Sequence, residues 1–99
     1  MANTPKQYVR AAASTSSTTL ATIASGKTAI ITNISITNPT AAAVTATILF
    51  NDVEYLGGVS IAANDVLVLD MRTVLTQTQT IKGFASSTSV KFHISGVEY

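Results

Sequence analysis

Cysteine and tryptophan are absent from this chain of 99 residues, proline occurs twice, and charged residues make up only 11% of it. Without cysteine there is no disulfide, no thiol chemistry and no thiolate metal site. An average soluble protein carries about 25% charged residues; here four Lys and two Arg stand against three Asp and two Glu, a net charge of +1. So few charges cannot hold duplex DNA or an anionic membrane by electrostatics. Long apolar runs are missing too. The longest, residues 41–44 and 66–69, are four residues each, against roughly 20 for a membrane-spanning helix. The opening Met1-Ala2-Asn3-Thr4-Pro5 lacks the apolar core of a secretory signal. The expectation is a soluble chain made in the cytoplasm, with neither nucleic acid nor membrane as partner.

What is abundant selects the fold class. Threonine occurs 16 times and valine and isoleucine nine times each, and such branched side chains suit a pleated sheet better than a helix. Alanine, at 14, favours helix, yet it sits beside Ser and Thr, and no long stretch keeps a 3.6-residue apolar period. The length is that of one domain. A loose, flexible polar arm is expected at residues 1–7, carrying Pro5, and a single domain at 8–99.

The chain then reads as strands and turns. A first strand at 7–12 puts Tyr8 and Arg10 on one face and Val9 on the other. A second falls at 18–23, and Ala24-Ser25-Gly26-Lys27 is a turn. Residues 28–37 form the longest candidate, with Ile30, Ile34 and Ile36 sharing a face. Asn38-Pro39-Thr40 ends it, because proline cannot donate to a ladder. In 44–50, Val44, Ala46, Ile48 and Phe50 face one way, and Asn51-Asp52 is a two-residue hairpin turn. Gly57-Gly58 is expected to break the next strand. Residues 66–69 are apolar on both parities, and 70–80 has no clear pattern. The last strands lie at 81–85 and 90–94, with Val90, Phe92 and Ile94 inward. Gly96 falls where the parity slips and is expected to be a bulge or bend. About eight short strands with turns every 8–12 residues predict a single antiparallel β-sandwich, jelly-roll-like or immunoglobulin-like, with almost no helix.

Several motifs fail on their chemistry. Ser25-Gly26-Lys27-Thr28 resembles the end of a phosphate-binding loop, but Ala21 stands where the first glycine is required and a strand follows where a helix must. Asn33-Ile34-Ser35 is a formal glycosylation sequon without a secretory signal. The single histidine, His93, lies on a polar strand face with no nucleophile motif near it in sequence. Asp52 and Glu54 share a parity beside a turn that uses Asp for its own sake. The alternating threonines at 45–47 and 76–80 do not repeat along the chain, as a stacked array requires. Tyr8 and Arg10 offer one stacking ring and one cation, too little for a single-strand groove. No catalytic, cofactor or metal residue is assigned.

Mean hydropathy is nevertheless +0.37, and outward parities carry Ile31, Leu49, Leu56 and either Leu67 and Leu69 or Val66 and Val68. A small domain that leaves such groups uncovered is expected to meet another chain. The candidate interface is Lys6, Tyr8, Arg10, Leu49, Leu56, Leu67 and Leu69.

One run of segments adds to this. S-G-K-T-A-I-I-T-N-I-S-I-T-N at 25–38 precedes an Ala/Thr turn and the strand at 44–50. I-A-A-N-D-V-L-V-L-D follows at 61–70, T-I-K-G-F-A-S at 80–86 and V-K-F-H-I-S-G-V-E-Y at 90–99. This order resembles small β-sandwich structural proteins of tailed bacteriophage virions over roughly residues 20–99. Such proteins often have a proline after the L-D-L segment and an A-G-D turn before T-I-K; here Met71-Arg72 and Thr76-Gln77-Thr78-Gln79 stand instead. The resemblance implies a non-enzymatic virion component, first a capsid decoration or cement protein bound to the major capsid protein. A neck, tail or fibre-associated position is the alternative. It also implies a homo-oligomer, a trimer before a dimer. No functional residue transfers with it. A small carbohydrate-binding sandwich, resting on Tyr8, Tyr55 and Tyr99, and a hydrolase using His93 are the other classes.

Overall fold

The computed structural model describes residues 4–99, and over them the chain is all-β. Eight strands follow one another: β1 (Thr4–Ala12), β2 (Thr18–Thr22), β3 (Ala29–Asn38), β4 (Val44–Phe50), β5 (Val53–Ile61), β6 (Asp65–Leu75), β7 (Thr80–Ala85) and β8 (Lys91–Glu98). The chain doubles back at Asn51-Asp52, whose φ angles are 53° and 63°. That is the paired left-handed conformation of a two-residue hairpin turn, which Asn and Asp adopt more easily than other side chains. From this turn β4 pairs with β5, β3 with β6, β2 with β7 and β1 with β8, all antiparallel. The paired ribbons alternate between two four-stranded sheets, β1-β8-β3-β6 and β2-β7-β4-β5. This is the order of a jelly roll, not of an immunoglobulin sandwich.

Alternation buries one face of each sheet against the other. Ile34, Ile36, Phe92 and Ile94 of the first sheet meet Ala46, Ile48, Phe50 and Ile81 of the second, all buried. The inward parities expected for 44–50 and 90–94 hold. Those expected for β3 hold only in its second half. Ile31 is fully buried and Ile30 half-buried, because the register against β8 steps from Ile31↔Gly96 to Asn33↔Ser95. Thr32 is the extra residue, and such a bulge reverses the parity before it.

The same row explains Gly96, which is not the bulged residue. It sits on the inward parity of a regular β8, and a Cβ there would overlap the Ile30 carbonyl. The irregularities lie on its neighbours: Thr32 on β3, and Tyr8 on β1 between Gln7↔Ser95 and Val9↔Ile94.

Other expectations are corrected. Residues 4–7 are not a loose arm; they are the first part of β1, with Thr4 opposite Glu98 and Pro5 opposite Val97. An edge strand accepts proline because its free side needs no donor. Residues 1–3 of that arm lie outside the described residues. Gly57-Gly58 does not break β5; Gly58, at φ 66°, lies in a stretch where β5 slips against β4, and its N–H donates to the buried Thr47 Oγ1 at 3.0 Å. Residues 70–75 continue β6, and 77–78 form a turn.

Candidate interaction surface

The fold leaves four edge strands, each a row of unpaired backbone groups that invites another strand. Three are blunted. β2 is five residues long. β1 carries Pro5, Lys6, Arg10 and the Tyr8 bulge. β5 carries Gly57-Gly58 and two register shifts. β6 has eleven residues without Pro, Gly or Lys; its one irregularity is at Met71-Arg72, which together stand opposite Thr32, and exposure still alternates from Val66 to Val74. Val66, Val68 and Val74 are 47%, 55% and 59% exposed, large values for apolar side chains on one strand face. Val53 and Tyr55 are exposed on the β5 edge, where the Tyr55 ring leans on Phe50 with centroids 5.2 Å apart.

The seven residues expected at an interface are not brought together. Lys6, Tyr8 and Arg10 lie on β1 and Leu67 and Leu69 on β6, at opposite edges of one sheet. Leu49 and Leu56 belong to the other sheet. Leu56, Leu67 and Leu69 are half-buried and pack on the core, so of the two parities left open in 66–69 the valines face outward. Ile31, also expected outward, is core. The sequence carried the signal for β6: Asp70 and Arg72 share the parity of Val66, Val68 and Val74, and charge marks the solvent face.

Polar groups gather at the end of the sandwich where β1 begins. Lys6 Nζ lies 3.1 Å from Glu98 Oε2 and 5.3 Å from the centre of the Tyr8 ring. Tyr8 packs on the core, and its hydroxyl is buried without a hydrogen-bond partner. Burial, and secondarily the Glu98 carboxylate, push the Tyr8 hydroxyl above its ordinary pKa. Lys82 and Asp52 form the other ion pair among the described residues, at 2.6 Å.

The motifs that resembled chemistry find ordinary uses. The Gly26 N–H donates to Gln77 Oε1 at 2.7 Å, and Gln79 Oε1 accepts from the Thr76 N–H at 2.9 Å. The glutamines of 76–79 thus cap backbone groups at one end of the sandwich. His93 has Arg10 and Ser35 as cross-strand neighbours, so no carboxylate beside it orients the ring as a base needs. Among the described residues no three of His, Cys, Asp and Glu converge on a metal-sized site, and no helix is long and apolar enough to cross a membrane. A shallow depression of about 350 Å³ lies between the end of β3 and the start of β6, lined by Thr37, Asn38, Pro39, Asn64, Asp65 and Val66. Its Asn38 amide is already engaged with backbone and Thr40. A scan of family models and a search of curated proteins find no match for the chain. The arrangement offers an edge for protein contact.

Proposed function

We propose that this protein is a non-enzymatic structural component of a tailed-bacteriophage virion, a capsid decoration or cement protein that binds the particle surface as a homo-oligomer. The observation that carries its role as an interaction protein is the β6 edge: a long strand with three exposed valines in a chain poor in charge. The assignment to a virion rests on the resemblance of residues 20–99 to small β-sandwich structural proteins of such particles. A jelly roll suits that role, since the architecture recurs in capsid domains, though it also serves lectins and enzymes. The partners on this reading are a second copy of the chain and the major capsid protein.

The test is sedimentation with purified particles that lack the protein. Saturable co-sedimentation and greater resistance of the particles to heat are expected. Failure to sediment with any particle preparation overturns the reading, and labelling confined to the neck or tail replaces the decoration role with the alternative position.

A further inference from the structure

We propose that two copies of this chain join through β6, paired antiparallel across a two-fold axis at Met71. The first sheet then continues from one copy into the other as a single eight-stranded sheet. The proposal rests on the homo-oligomer part of the functional reading and names the contact.

The free edge of β6 repeats one pattern outward: Val66, Val68, Asp70, Arg72, Val74. Directly opposed residues of an antiparallel pair lie on the same face of a sheet. A two-fold axis normal to the sheet therefore matches outward residues only with outward ones. A centre at Asp70 sets carboxylate against carboxylate, and a centre at Arg72 sets guanidinium against guanidinium. Centres at Leu67 or Leu69 place Asp70 opposite Asn64 or Val68. The centre at Met71 alone places Asp70 opposite Arg72 of the second copy, and Val68 opposite its Val74. By symmetry each of these pairs forms twice. Opposite charges and branched apolar residues are the combinations that stabilise facing strands.

Within one copy no opposite charge among the described residues pairs with either group. Arg72 has no carboxylate partner among the described residues, and Asp70 Oδ1 only accepts from Asn33 Nδ2 at 3.2 Å. The register of β6 against β3 steps at the same level: Ile31↔Thr73 gives way to Asn33↔Asp70, so Met71 and Arg72 together stand opposite Thr32. The step leaves the alternation along β6 intact. The contact is isologous and closes on itself, so it yields a dimer and no filament. It differs from the trimer that the resemblance implies.

Light scattering with exchanged charges decides the matter. The wild type is expected at twice the 10.3 kDa chain mass at micromolar concentration. Arg72→Asp and Asp70→Arg, each at an exposed position, should raise the dimer dissociation constant at least tenfold while melting as cooperatively as the wild type. An equimolar mixture of the two variants should return a 1:1 heterodimer, and the double exchange should return the homodimer. A monomeric wild type overturns both the contact and the oligomer reading. A trimer, or a dimer indifferent to the exchanges, overturns the β6 contact alone.

Discussion

Asn38 is fully buried, and a buried amide is tolerated only when its polar atoms are satisfied. Its Nδ2 lies 2.9 Å from Ala42 O, 3.1 Å from Ile61 O and 2.9 Å from Ala62 O. Its Oδ1 accepts from the Thr40 N–H and from Thr40 Oγ1. One side chain thus ties the turn after β3 to the turn before β6. Asn38→Asp would aim a carboxylate at three carbonyls. We expect a loss of about 3–5 kcal/mol at neutral pH, as for an uncompensated buried charge. The penalty should shrink on acidification, because the fold raises the pKa of the introduced carboxyl and its neutral form can donate; urea unfolding at two pH values measures both. Tyr8 is the opposite case, a hydroxyl buried without a partner. Tyr8→Phe should raise stability by about 1 kcal/mol. The raised pKa of Tyr8 adds a pH dependence. Its contribution is fully present below the unfolded value near 10 and is lost as pH rises through the folded value. Above pH 10 the wild type should therefore lose stability faster than Tyr8→Phe, which thermal melts across pH 9–11 would show.

At the scale of elements, the bulges control which residues face the core. Thr32 and Tyr8 flank β8 at the same height, and Gly96 fits beneath the displaced backbone of β3. Gly96→Ala must push the Ile30 carbonyl aside, and a loss of at least 2 kcal/mol is expected from overpacking against rigid backbone. A change within 0.5 kcal/mol would show that β3 yields freely there. The start of β1 makes a second case. Removing residues 1–7 deletes the pairing of Thr4–Gln7 with β8 and the Lys6–Glu98 contact. At roughly 0.5–1.5 kcal/mol for each net hydrogen bond, a fall in Tm of about 5–15 °C is expected. An unchanged melt would mean that these residues add nothing to the fold.

For the whole molecule, topology sets the folding time. Of the strand pairings only β4·β5 joins neighbours in sequence; β3·β6, β2·β7 and β1·β8 close progressively longer loops, and Thr4 meets Glu98. All-β chains dominated by such contacts fold in milliseconds to seconds. Stopped-flow refolding should fall in that range, and completion within about 100 µs would contradict the expectation. The same topology accounts for the strand edges. Folding one long hairpin into two open sheets leaves four edges, of which three are shortened, bulged or marked by Pro and Lys; β6 is the longest and keeps its alternation through the register step at Met71-Arg72.

Much of this was legible without coordinates. Alternation along 44–50 and 90–94 fixed the inward faces of β4 and β8, since side chains on a strand take turns with a period of two. Asn51-Asp52 marked the central turn, because these residues tolerate left-handed backbone. The absence of helix followed from branched side chains and the lack of a 3.6-residue period. Parity beyond a bulge was not legible: Thr32 reverses the faces of Ile30 and Ile31, and only the register against β8 reveals it. Nor could Gln77 be seen as the acceptor for Gly26, 51 positions away. The candidate interface dispersed for the same reason, since strand order placed β1 and β6 at opposite edges and turned Leu67 and Leu69 inward. Local alternation belongs to the sequence because it depends on a residue and its neighbours. Register, strand order and the choice of exposed edge belong to the tertiary structure because they depend on which distant backbone groups pair.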